Sequence, residues 1–255
     1  MIIVISPAKR LQMPKDAPQH PLAVPMFFKD AIKIVSALQN KGAVDLKKFL
    51  ADKMGISDKL AVENCERYLS FQHDGNIGTP AVLTFAGDTF QGLKADAWQF
   101  DEAEAAHRHL YILSGLYGLL KPFDIIQPYR MEMGIDFSID DAKNLYQFWQ
   151  EKITAILQTE KNVIINCASQ EYSAVIRQPE LPADFITIDF KIKKNNQWRS
   201  PGMMIKKYRG QMANALIKKM VGQGEPSIDD IKHITIDGFQ FSQSHSNQKI
   251  FCFVK

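Results

Sequence analysis

The chain has 255 residues, 45% of them apolar and 23% charged, which supports a sizeable core and excludes a disordered profile. No window approaches the roughly 20 apolar residues of a membrane span. The net charge of +3 is mild, so any pull on a polyanion has to come from segregated charge rather than from the total.

Taken in chain order, Ile2-Ile3-Val4-Ile5 is too short for a signal-peptide core and has no basic segment before it, so it reads as a buried strand. The stretch Pro7–Pro25, with Pro14, Pro18 and Pro21, is a long irregular loop at that strand's end, because each proline fixes φ and lacks an N–H. Three helices are expected over Met26–Gln39, Asp45–Met54 and Asp58–Leu69; the first carries Phe27, Ile34, Val35 and Leu38 near helical spacing. Ala81–Phe85 reads as a strand ending in Gly87-Asp88-Thr89. Asp101–His109 reads as a helix, and Leu110–Leu113 as a strand that breaks at Ser114-Gly115. Lys143–Gln158 is helical, and Val163–Ile165 is a strand bounded by Asn166, Ala168 and Ser169. Asp184–Ile192 alternates like a strand, Asn195-Asn196 supplies a turn, and Gln197–Ile205 returns as the partner. A helix over about Lys206–Met220 and strands at Gly238–Phe241 and Lys249–Val254 close the chain. Strands mixed with helices throughout predict a mixed α/β fold, a mixed β-sheet flanked by helices. No linker divides it, so a single domain over residues 1–255 is expected. The cysteines Cys65, Cys167 and Cys252 are odd in number, far apart and in no CxxC pair, which fits reduced, inert thiols in a cytoplasm.

Familiar catalytic signatures are missing. No GxGxxG follows a strand, Gly115–Lys121 is not a phosphate loop, and Ser114 stands in no GxSxG elbow. His107 and His109 are two apart, with no ligand cluster beside them, so neither a metal site nor direct iron binding is expected, and no cofactor is implied. Charge, by contrast, is segregated. Nine basic residues fall between Lys191 and Lys219, Lys206, Lys207 and Arg209 among them, with no Asp or Glu between. Such a stretch attracts polyanions or is a solvated hairpin and helix.

Two local patterns carry a mechanism. Met54-Gly55-Ile56-Ser57-Asp58-Lys59-Leu60-Ala61 lies between two expected helices and resembles the helix-hairpin-helix element of DNA-repair proteins. There a tight turn presents backbone N–H groups at the start of the second helix, where a phosphate is favoured, and Lys59 adds a charge. Ser57 replaces the second glycine and makes a good N-cap; Asp58 partly repels a phosphate. An ordinary αα-hairpin with a capping serine would read the same way. The second pattern is polar residues at strand ends: Ser6 to Lys9, Asp88, Ser114 to Gly118, and Asn166 with Ser169 to Tyr172. In α/β sheets the carboxyl ends of strands frame the ligand crevice. Gln127-Pro128-Tyr129-Arg130 adds an aromatic ring and a guanidinium.

Six blocks, Ile5–Lys9, Ile56–Ala61, Gly87–Leu93, Leu113–Gly118, Gln127–Gly134 and Leu145–Trp149, resemble the YaaA family of bacterial peroxide-stress proteins, in order and over nearly the whole chain. The resemblance implies hydrogen peroxide resistance, a link to DNA repair, and a mixed α/β fold outside the common superfolds. It also implies binding of duplex and branched DNA through a basic cleft and a helix-hairpin-helix element, with no enzymatic reaction established. The expectation is a cytoplasmic DNA-binding protein. Gly55, Ile56, Ser57 and Lys59 would grip one phosphate run, and Lys9, Arg130, Lys206, Lys207 and Arg209 would line the cleft. The alternative is a metal-independent enzyme acting on a nucleotide or a damaged base, with Lys9, Asp88 and Glu171 as candidate acid–base groups.

Overall fold

The computed structural model describes residues 1–14, 20–160, 162–222 and 224–255. Pro18 and its neighbours in the proline-rich loop lie outside the described residues.

The opening apolar run forms strand β1 (Ile2–Ile5) and becomes the middle of the sheet. Helices α1 (Phe28–Gln39), α2 (Gly42–Met54) and α3 (Asp58–Leu69) follow, each burying one apolar stripe, such as Ile34, Val35 and Leu38 in α1. A two-residue strand β2 (Thr79–Pro80) leads into helical turns α4 (Ala81–Thr84) and α5 (Asp88–Leu93). Helix α6 (Phe100–His109) runs directly into β3 (Leu110–Ser114) and its antiparallel neighbour β4 (Gly118–Leu120). Short β5 (Ile125–Ile126), α7 (Leu145–Leu157), β6 (Val163–Asn166) and α8 (Gln170–Ser173) come next. The last third holds β7 (Asp184–Lys194), β8 (Gln197–Arg199), α9 (Met204–Met220), α10 (Ile228–Lys232), β9 (Gln240–Phe241) and β10 (Ile250–Val254).

The main sheet has the order β4-β3-β1-β6-β7-β10-β9, with β8 paired to β7. The five central strands are parallel and the edges β4 and β9 antiparallel. Near-continuous apolar runs such as Val163–Ile165 suit parallel strands, which are covered on both faces. This is the mixed α/β architecture the sequence predicts, with a mostly parallel sheet flanked by helices. The order carries a consequence. From β1 the chain moves to β3 on one side, then crosses to β6 on the other. The strand direction of travel therefore reverses at β1, and such a switch point opens a crevice at the carboxyl ends of the strands.

Three expectations are corrected. Ala81–Phe85 is one helical turn, not a strand: Pro80 starts it, the Phe85 N–H donates to the Ala81 carbonyl at 3.0 Å, and Thr84 Oγ1 donates to the Pro80 carbonyl at 2.8 Å. Five apolar residues carry no period that tells strand from helix. The return strand after Asn195-Asn196 stops at Arg199, because Pro201-Gly202 breaks the ladder and α9 opens at Met204. The second helix begins at Gly42, three residues before Asp45. The turn itself is as expected, with Asn195 and Asn196 both at positive φ, 50° and 59°.

Candidate functional site

Four segments converge on the crevice beside β1. The loop after β1 contributes Ser6, Lys9 and Arg10; the start of α5 contributes Asp88; the start of α8 contributes Ser169, Glu171 and Tyr172; the first turns of α9 contribute Lys206. Together they line a cavity of about 310 Å³. The Ser169 N–H donates to Ser6 Oγ at 2.8 Å, and Ser6 Oγ donates to Ser169 Oγ at 3.3 Å, which fastens the β1 loop to α8. Arg10 Nε donates to the Ala86 carbonyl at 3.3 Å.

Two glycines decide that Asp88 and Lys206 share this cavity. A Cβ on Gly92 would lie 2.1 Å from the Lys207 carbonyl oxygen, and one on Gly210 would lie 1.9 Å from that of Thr89. Helices α5 and α9 therefore touch backbone to backbone, as only residues without a side chain permit. Asp88 thus reaches the site from a helix start, although the strand expected before it is absent.

A carboxylate that sequence reasoning did not single out anchors the basic side. Glu132 Oε1 accepts from Lys9 Nζ at 3.1 Å, and from Arg130 Nε at 3.2 Å and Nη2 at 3.0 Å. The Glu132 side chain is only 12% exposed, and its Oε2 is buried with no hydrogen-bond partner. The signal for it was the Arg130-x-Glu132 spacing, at which the two side chains bond to each other just before the turn that Ile135 N–H closes on the Glu132 carbonyl. Beneath lies a layer of phenols. Tyr129 and Ser114 hydroxyls are 2.7 Å apart, and Tyr68 donates to the Arg130 carbonyl at 2.7 Å. Burial holds the Tyr68, Tyr117, Tyr129 and Tyr172 phenols well above their usual range, so they are neutral. Tyr129 is therefore a buried strut, not a stacking surface.

The helical hairpin is joined to this site by the segment 130–137. Gly55 ends α2 in the left-handed region at φ 58°, and Ser57 caps α3 by accepting the Leu60 N–H at 3.4 Å. Asp58, the residue set to repel a phosphate, is paired with Lys47 at 2.7 Å, while Lys59 is exposed. Lys53 pairs with Asp136, and Phe49 meets Phe137 edge-on at 5.7 Å. Asp136 is four positions after Glu132, so their Cα atoms are at most about 14 Å apart.

The basic residues named from sequence fall into distinct settings. Lys9, Arg130 and Lys206 gather at or beside the cavity, with the first two held by Glu132. Lys207 is half-buried on α9. Arg209 lies deeper, with its Nε donating to the Ile188 carbonyl of β7 at 3.2 Å. Lys218 pairs with Glu102 at 3.3 Å. Cys65, Cys167 and Cys252 are all buried, and burial pushes the Cys167 thiol up to about 12 and Cys252 to about 11. None has the low-pKa, exposed character of a peroxide-reactive thiol. Among the described residues no helix is long and apolar enough to cross a membrane.

The fold and site define the class: a mostly parallel α/β sheet with a charged crevice beside its switch point. The model of the family described as peroxide stress protein YaaA matches residues 1–245. A UPF0246 protein of Francisella tularensis subsp. novicida (strain U112) is 36% identical over 263 residues, covering the whole of both chains. A UPF0246 protein of Legionella pneumophila (strain Lens) is also 36% identical, over all of this chain and 99% of its own. The chain belongs to the YaaA family of peroxide stress proteins.

Proposed function

We propose that this peroxide stress protein binds DNA, largely without regard to sequence, and does so in the cytoplasm. The observation that carries the reading is the hairpin. Gly55 and the Ser57 cap leave the start of α3 facing a turn, Lys47 neutralises Asp58, and Lys59 stands exposed beside it. Backbone N–H groups and one lysine are the materials of a phosphate grip. Lys206 and Lys207 on α9 extend the basic surface towards duplex or branched DNA. Binding through about 4–6 phosphates predicts a log–log salt slope of roughly −4 to −5. The test is a salt series on a labelled duplex and a four-way junction. Lys59→Ala should weaken binding uniformly and reduce the slope by about 1, and Lys206→Ala/Lys207→Ala should weaken it further. Affinity that barely changes with salt would overturn the reading.

A second reading is favoured by the convergence of Lys9, Asp88 and Glu171 on one cavity. It makes that cavity an acid–base site for a nucleotide or a damaged base. Turnover of a damaged-base duplex, lost in Asp88→Asn or Lys9→Ala with DNA affinity retained, would support it. No turnover on any such duplex would sink it.

A further inference from the structure

Strand β7 is eleven residues long and outruns its neighbours. Its pairing with β6 ends at Asn166–Thr187, while β8 returns against Ile192–Lys194. The resulting two-stranded ribbon, from Lys193 to Ser200, is exposed at every residue. Isolated ribbons usually have polar tips, yet this one carries Trp198, 37% exposed, and the turn into α9 carries Met203 at 82% and Met204 at 43%. Three exposed apolar side chains within seven residues of chain are the composition of a binding surface. Around them stand Lys193, Lys194 and Arg199, and no acidic residue occurs from Lys191 to Lys219.

We propose that this ribbon is a stacking platform for unpaired bases of DNA, a proposal that rests on the DNA-binding reading above and names a surface separate from the hairpin. An indole among cations offers the two things an unpaired strand presents contacts for, a π-face for the base and charge for the backbone. Lys193 Nζ already lies 5.9 Å from the Trp198 ring centroid, so one cation is held beside the indole. Charge complementarity selects a polyanion, and one indole, propped by the His245 ring at 4.8 Å with Lys193 beside it, suits a base better than a bilayer, where a continuous apolar face is needed. The ribbon leads directly into the α9 turn that carries Lys206 to the crevice. A strand opened at a lesion or a branch would then lie along ribbon and crevice, while the hairpin holds the adjoining duplex.

The experiment reads Trp198 directly, because Trp98 and Trp149 are 3% and 0% exposed. Full-length protein is titrated with oligo-deoxythymidine of about 12 nucleotides, with duplex, and with phosphatidylglycerol vesicles, while tryptophan emission is followed. The expected result is quenching by the oligonucleotide. Trp198→Ala should weaken that binding by about 5- to 150-fold and leave duplex affinity within about twofold. Trp198→Phe should retain most of the affinity. Met203→Ser/Met204→Ser, which leaves the ribbon intact, should weaken it to a smaller degree. Oligonucleotide binding without quenching, or unchanged in Trp198→Ala, would overturn the platform while leaving the hairpin reading standing. A response to vesicles alone would reassign the ribbon to a membrane surface. No binding of any DNA at low salt would remove both readings together.

Discussion

The crevice and the helical hairpin use charge in opposite ways. At the crevice, Lys9 and Arg130 are held by the mostly buried Glu132, over a floor of neutral phenols, and the walls are fixed by the contact of Gly92 and Gly210 with the facing backbone. At the hairpin, Lys59 is exposed, while the neighbouring Asp58 is paired with Lys47. The first region is organised to hold one geometry, at a cost in packing tolerance. The second is a turn with one exposed charge, which is all that the proposed grip on phosphates, alike along a strand, would require.

The largest expected effect lies in the crevice wall. Gly210→Val puts a side chain where the Thr89 carbonyl already stands, and should cost about 3 kcal/mol in urea denaturation. A neutral result would mean that α5 and α9 can part, and the crevice is not rigid. Glu132→Ala leaves Lys9 and Arg130 without their shared anion and should cost about 2 kcal/mol, discounted from a fully buried pair because the side chain is slightly exposed. In the hairpin, Ser57→Ala removes one cap from an exposed helix start and should cost only about 1 kcal/mol. If its cost matched that of Glu132→Ala, the contrast between the two regions would fail.

In the native protein the smallest effect concerns pH, where two opposed slopes arise outside both regions. Burial lowers His107 from 6.5 to about 4, so between those values the unfolded chain binds the extra proton and stability rises with pH. Burial raises Asp124 from 3.8 to about 7, so across that span the folded chain binds the extra proton and stability falls with pH. The slopes oppose each other, and the native protein should be nearly flat over the shared window. Asp124→Asn should uncover a rise of stability with pH between about 4 and 6.5, measured as urea midpoints across a pH series. A variant that stays flat would show that His107 does not carry the opposing slope.

Much of the architecture was written in local sequence. The run Ile2–Ile5, the stripe Ile34-Val35-Leu38, the Asn195-Asn196 turn and the Ser57 cap each act within a few residues, so periodicity and turn chemistry reveal them. The resemblance carried by six motif blocks likewise pointed to the family that the whole-chain matches show. The strand order, and with it the switch point at β1, had to wait for the fold, because parallel pairing joins segments more than a hundred residues apart, as Ile3 and Leu110 do. Ala81–Phe85, expected as a strand, is a helical turn, because a short apolar run takes its form from what it packs against. Glu132 shows the limit most directly. Its spacing from Arg130 can be read in the sequence, but only the approach of Lys9 from the loop after the first strand makes it the anchor of the basic side. Which charges lie free and which are held is decided by distances across the fold, and sequence spacing does not contain those distances.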